Sequence, residues 1–215
     1  MEQQTSDKLR KTAEGFHSLL NTQYHIIIGR KGKSVDLTIE FNPIDFHHLM
    51  GLGKLKDLRI STQNREAVFS GILNGTITYS SICKSRYIEQ IENRFVPLAH
   101  IEQIFDDNKL IFRYNEKKNQ FSLIESDYLL STPFAGNDVY IFIEEKETAG
   151  MFFCRSFFPK EKKDYTAGQP QFTLLFKEKI TVSSGKKIIQ YDRLTPKEKP
   201  ADASPSEHTK NPKAE

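Results

Sequence analysis

The feature that most constrains this chain is a change of hydrophobic period at Asp106-Asp107-Asn108. Past that turn signal the apolar residues alternate instead of recurring at helical spacing. Val139, Ile141 and Ile143 share one face of Val139–Glu145, and Phe172, Leu174, Phe176 and Ile180 alternate along Phe172–Val182. Leu110–Tyr114, Phe121–Ile124, Tyr128–Thr132, Gly150–Phe158 and Lys187–Leu194 read as further strands. Short turns join them and no crossover helix separates them, which predicts antiparallel pairing.

The first half reads differently. Leu9, Ala13, Phe16, Leu19 and Leu20 recur at helical spacing, with Thr5 or Ser6 as cap. Tyr24–Arg30 and Ser34–Phe41 are strands flanking Lys31-Gly32-Lys33, a β-hairpin with a basic tip. A short helix follows in Phe41–Gly53, with Asn42 as N-cap, Pro43 in the first turn and Gly51 and Gly53 to end it. Its helical wheel turns His48 toward the protein and His47 nearer an edge. Glu66–Leu73, Thr76–Asn93 and Val96–Phe105 read as three more helices. The architecture expected is α+β, an N-terminal hairpin and helices packed on a C-terminal antiparallel sheet. The organisation expected is an N-terminal helix over 1–23, a globular body over 24–194 (helical middle about 43–106, sheet about 109–194) and a disordered tail over 195–215, rich in Pro, Lys, Glu, Ala and Ser.

The 16 phenylalanines and 8 tyrosines supply a core, and a net charge of +3 permits nucleic-acid binding without requiring it. Cys83 and Cys154 stand alone, outside any metal-binding or disulfide spacing. The N-terminus is polar, no apolar run is long enough to span a bilayer, and a cytoplasmic protein without membrane contact is expected. Phosphate-loop, dinucleotide and nucleophile-elbow motifs are missing, and His47 and His48 diverge by about 100° on a helix, which argues against a shared metal.

What remains is a constellation. Met151–Pro159 sets Arg155 and Ser156 among aromatics, with Phe153, Arg155 and Phe157 on one face and Phe152, Cys154, Ser156 and Phe158 on the other. Such polar groups need a partner. The loop holding Lys163, Tyr165 and Gln169 is basic, Lys177 and Lys179 project from the next strand, and Lys54 follows the histidine helix. Basic and hydroxyl side chains interleaved with aromatics suit a phosphodiester and its bases, against the plainer reading of a polar sheet face and a solvated loop.

Phe46-His47-His48-Leu49-Met50-Gly51-Leu52, Val139-Tyr-Ile-Phe-Ile, Arg155-Ser156-Phe157-Phe158, Asp164-Tyr165, Gln169 and Leu174-Leu-Phe-Lys177 together resemble a phage and mobile-element domain of the barnase–EndoU–colicin–RelE-like nucleases, over about residues 24–182. Met50 stands where that pattern has threonine. The resemblance implies helices followed by a small antiparallel sheet, and metal-independent RNA cleavage by a toxin or effector without a cofactor. It carries His48, Ser156, Lys177 and Tyr165 over as catalytic positions, and Arg155 and Gln169 as substrate-binding; His47, Lys54 and Lys163 are further substrate-binding candidates from the residues themselves. His48 would act as acid or base, Lys177 or Arg155 would stabilise the phosphorane, and Ser156 and Tyr165 would hold phosphate oxygens or relay a proton. RNA is the expected partner, with an antitoxin or immunity protein as a second. The alternative is a non-catalytic RNA- or protein-binding accessory module on the same fold.

Overall fold

The computed structural model describes residues 7–119 and 122–196. The caps expected at Thr5 or Ser6, Phe121 of the strand expected over Phe121–Ile124 and the tail from 197 onward lie outside the described residues, and Ser122, Leu123 and Ile124 form no strand. Asp7 caps α1 (Lys8–His17), its carboxylate accepting from the Leu9 and Arg10 amides. β1 (Thr22–Arg30) and β2 (Lys33–Glu40) form the expected hairpin. Lys31 and Gly32 both have positive φ, at 52° and 76°. That is the turn whose twist matches a two-residue hairpin.

The helical middle is more broken than its periodicity suggests. α2 (Asp45–Met50) and α3 (Arg65–Leu73) fall close to expectation. At the start of α2 the Asp45 carboxylate accepts from the Asn42 amide at 2.9 Å, and Asn42 caps nothing with its own side chain. The single helix expected over Thr76–Asn93 is instead α4 (Tyr79–Ile82) and α5 (Glu89–Glu92). Between them the Ser85 hydroxyl and the Arg86 amide both bond the Asp57 carboxylate, at 2.5 and 3.0 Å, which gives the backbone partners other than a helix. α6 (Phe95–Ala99) and α7 (Ile101–Asp107) follow.

Six strands come from the second half: β3 (Leu110–Arg113), β4 (Tyr128–Phe134), β5 (Asn137–Glu145), β6 (Met151–Pro159), β7 (Gln171–Thr181) and β8 (Lys186–Asp192). Here the expected architecture needs correction. The hairpin does not pack on a C-terminal antiparallel sheet but is part of it. The strand order is β1-β2-β6-β5-β4-β3-β7-β8, and β1 also pairs with β7, so seven strands close into a barrel with β8 appended. The sheet is mixed, because β2 runs parallel to β6 through Thr38↔Met151 and Ile39↔Phe152. Alternation shows which face of a strand is apolar but not which strand lies beside it. Closure pairs backbone groups that an open sheet would leave at its edges.

The main core gathers Ile26, Ile28, Leu37, Ile39, Ile141, Phe157 and the apolar faces of the helices, including Phe16, Phe46, Leu49, Leu98 and Phe105. β5 is buried on both faces, for Tyr140 and Phe142 join Phe112, Tyr114 and Leu129 in a second cluster, against which Ile124, Phe158 and Tyr165 pack. A bulge in β6 sets the phase between the two. Phe142 faces Ser156 and Ile143 faces Cys154, leaving Arg155 without an opposite residue. Phe152, Cys154 and Phe157 therefore enter the main core, while Phe158 goes to the second cluster. The uninterrupted alternation read from the sequence placed Phe157 with Arg155 instead.

Candidate active site

The bulge brings Ser156 into a cleft of about 290 Å³ between β6 and the helices. Lys54, Gln90, Asn93 and Arg94 line its helical wall, Ser156 and Phe158 its strand wall, and Ile124, Glu161 and Tyr165 its outer rim. Gly51 shapes the helical wall. Its φ of 80° ends α2 in the left-handed conformation, and a Cβ there would lie 3.0 Å from Ile91 Cγ2 and 3.3 Å from the Arg94 guanidinium carbon. The glycine lets Arg94 reach past the helix end.

Arg94 is 5% exposed, and its Nη1 donates to the Leu49 carbonyl at 2.9 Å. Its Nε is buried with no hydrogen-bond partner, and among the described residues no carboxylate stands within ion-pair distance of the guanidinium. Burial pushes its pKa down to about 10, with Glu161 pulling the other way. Lys54 lines the same cleft but is exposed, its ammonium donating to the Gln90 carbonyl at 3.4 Å. Partial burial lowers its pKa first and the Arg94 charge second, while Glu161 opposes both. Glu161 is the cleft's one carboxylate among the described lining residues, and Asn93 Nδ2 donates to its Oε1 at 2.7 Å. Two cations crowd one cleft, and an anion placed between them would stabilise both.

The rim is tied down from outside. Gln169 is buried and clamps the Asn115 backbone, accepting from its amide at 2.9 Å and donating to its carbonyl at 3.0 Å. Asn119 donates to the Tyr165 carbonyl at 3.4 Å. Asp164 accepts from Lys160 at 2.8 Å and from the Tyr140 hydroxyl at 3.2 Å. The Tyr165 ring packs against Phe158 at 5.4 Å and Phe142 at 5.5 Å, and burial raises its phenol pKa.

Of the residues singled out in the sequence, Ser156, Tyr165 and Lys54 meet in this cleft, and Lys163 lines the adjoining hollow with Phe158, Glu161, Lys162 and Tyr165. Gln169 holds the rim. The histidines are reversed from their helical-wheel reading. His47 is buried, 4% exposed, with Nε2 donating to the Ile60 carbonyl at 2.9 Å, and His48 is the exposed one. The reversal follows because Ile44, taken as core-facing, is exposed, while Phe46, Leu49 and Met50 set the buried face, and the segment Arg59–Ser61 covers the His47 side. Partial burial, followed by the charges of Arg65, His47 and Arg155, pushes His48 down to about 4. Neither His48 nor Arg155 lines the cleft; Arg155 Nε pairs with Glu144 at 3.2 Å.

Lys177 lies elsewhere. It is 1% exposed and donates to the carbonyls of Phe105, Asp106 (2.8 Å) and Asn108 (3.3 Å), satisfying the C-terminal end of α7. Burial lowers its pKa to about 8. The residue that sequence reasoning passed over is Arg94. Nothing in Glu92-Asn93-Arg94-Phe95 marks it, since its significance comes from Gly51 and Phe158, which are distant in sequence. Among the described residues no group of three His, Cys, Asp or Glu side chains is placed to hold a metal ion, and no helix is long and apolar enough to cross a membrane.

A closed mixed barrel with a recessed cleft of two cations, a serine, a tyrosine and one carboxylate suits a protein that handles polyanions. The sequence gives that class its family. The model of the phage-Barnase-EndoU-ColicinE5/D-RelE like nuclease4 family matches residues 8–194, and the chain belongs to this phage-associated nuclease family, whose substrate is nucleic acid. Searches of curated proteins and of solved structures returned no match.

Proposed function

We propose that the protein is an endoribonuclease of a phage or mobile element that cleaves RNA by attack of a 2′-hydroxyl on the adjacent phosphorus. The observation that supports this most is Arg94, a buried guanidinium with an unpartnered Nε, which lines the same cleft as Lys54. In this reading Arg94 binds a non-bridging phosphate oxygen and stabilises the phosphorane as charge builds, a role that protein cations fill without a metal. Ser156 and Tyr165, whose raised pKa keeps its hydroxyl protonated, hydrogen-bond the other oxygens.

Glu161 takes the 2′-hydroxyl proton. Asn93 holds one of its oxygens and leaves the other for the base role. Lys54, with its lowered pKa, gives a proton to the departing 5′-oxygen. His48 and Arg155 lie outside the cleft lining and take no part in this step, and Lys177 keeps α7 and β7 in place. The toxin role follows from uncontrolled RNA cleavage, and an inhibitor that presents carboxylates to Arg94 and Lys54 would neutralise it.

Induced expression tests the reading. The wild type should arrest growth and fragment cellular RNA, and Arg94→Met and Glu161→Gln should do neither while accumulating to the same level. RNA binding without cleavage by the wild type would replace this reading with that of a non-catalytic accessory module.

A further inference from the structure

At the hairpin, Arg30 and Lys33 are the last register pair of β1 and β2. Two like charges directly opposite in an antiparallel ladder repel each other. Both continue the faces that carry Ile26, Ile28 and Leu37 but lie beyond the buried part of the sheet, and both are exposed. Lys31 sits between them in the turn, held at a φ of 52° that a non-glycine residue seldom takes. Arg193, just past β8, joins them because its amide donates to the Leu175 carbonyl at 2.9 Å. With Gly29, Ser34, Thr173 and Leu175 these four cations line an open hollow of about 520 Å³. Among the described residues none of the four is in an ion pair, whereas Lys8, Lys146, Lys160, Lys179 and Lys187 all are.

We infer that this hollow is a second nucleic-acid contact, which grips the sugar–phosphate backbone of the substrate at a distance from the scissile linkage. The inference rests on the nuclease reading for the identity of the polyanion. Charge repulsion retained at a turn, with no carboxylate to relieve it, matches a ligand that brings negative charge at several points. Ser34 and Thr173 add hydroxyl donors between the cations. From β2 through β1 and β7 to the end of β8 the cations span three strand spacings, about 14 Å, which is wider than one phosphate.

The position sets the class of substrate. β2 and β6 run parallel, with Thr38 beside Met151, so Lys33 and Phe157 lie toward opposite ends of the barrel. The shorter sheet path runs from Gly29, next to Arg30, through Thr173, Ile111, Leu130 and Ile141 to Phe157, five strand spacings or roughly 24 Å. A substrate that occupies both sites is a long or folded RNA, not a short oligonucleotide.

The test compares the full chain with a variant carrying Arg30→Gln, Lys31→Gln, Lys33→Gln and Arg193→Gln, all exposed positions where the fold has little to lose. Bulk transfer RNA and an oligoribonucleotide too short to reach the tip serve as substrates. Loss of at least tenfold in kcat/KM on transfer RNA, carried by KM, with the short substrate cleaved at the wild-type rate, supports the inference. In the Glu161→Gln background, transfer-RNA binding should lose about 3 units of salt slope on removal of the four cations. Equal effects on both substrates, no effect on either, or tighter retention of polyglutamate than of RNA at the hollow would overturn it. If the wild type cleaves neither RNA, the nuclease reading fails, and the salt slope still decides whether the tip grips nucleic acid.

Discussion

The Arg94 guanidinium lies 5.6 Å from the centre of the Phe158 ring. One residue comes from the start of α6 and the other from the strand with the bulge, and each makes the other useful. The aromatic face accepts a cation that has no carboxylate, and the cation fixes the floor of the cleft. A protein has little reason to bury a charge this way for stability alone, because desolvation of an unpaired cation is costly.

Replacing Arg94 should therefore separate activity from stability. Arg94→Met should lower kcat by about 100- to 1000-fold, the loss typical of an oxyanion donor. Its Tm should not fall below the wild type's, because removal of an uncompensated charge offsets loss of the bond to Leu49. Steady-state cleavage and calorimetry on the same preparation check both halves. A large drop in Tm that accompanies the loss of activity would mean that Arg94 is structural.

Lys177 should behave in the opposite way. Lys177→Met leaves carbonyls of Phe105, Asp106 and Asn108 without their donor in a buried place. The cost should be about 2 kcal/mol or more, which lowers Tm by about 4–8 °C for a chain of this size. The kcat of the molecules that remain folded should be unchanged. Loss of kcat at constant Tm would return Lys177 to the chemistry.

Asp45 provides a stability signature in pH. Burial raises its carboxyl from 3.8 to about 6. The folded state then holds the proton more tightly than the unfolded chain. The stability from this group is complete below pH 4 and disappears as pH rises through 6, up to about 3 kcal/mol in all. Asp45→Asn keeps an acceptor for the Asn42 amide and removes the titration. Denaturant melts at pH 4 and pH 7 should show the variant level with wild type in acid and more stable at neutrality. A variant less stable at pH 7 would show that the ionised carboxylate is favourable.

The basic limb of the rate profile reports on Lys54. An acid must be protonated to act, so kcat/KM should fall as pH rises through the Lys54 pKa, below the ordinary lysine value of 10.5. Lysine-labelled NMR of Arg94→Met should show that pKa moved back upward, since the Arg94 charge is one cause of the depression. An unmoved Lys54 resonance would uncouple the two residues.

Most strands were legible because alternation marks a half-buried strand from local residues alone. Val139–Glu145 and the hairpin fall where the pattern puts them. The closure of the barrel was not, since the β1–β7 and β2–β6 pairings join residues more than 100 positions apart in the chain. The bulge at Arg155 was hidden for a related reason. One extra residue shifts the faces beyond it without altering composition. For the site, Ser156 stood out as a polar group among aromatics and Lys54 as a cation after the histidine helix, whereas Lys177 was singled out by its place on a basic strand face and by the family resemblance. Its carbonyl partners come from a helix some 70 residues earlier, and no local pattern announces them.

The most direct measurement is cleavage of a defined RNA by the purified chain, with and without a chelator, reading the chemistry of the new ends for wild type and Arg94→Met. The account predicts 2′,3′-cyclic phosphate and 5′-hydroxyl ends, unaffected by the chelator and nearly abolished in Arg94→Met. Intact RNA, ends bearing a 3′-hydroxyl and 5′-phosphate, or an Arg94→Met variant as active as wild type would contradict it.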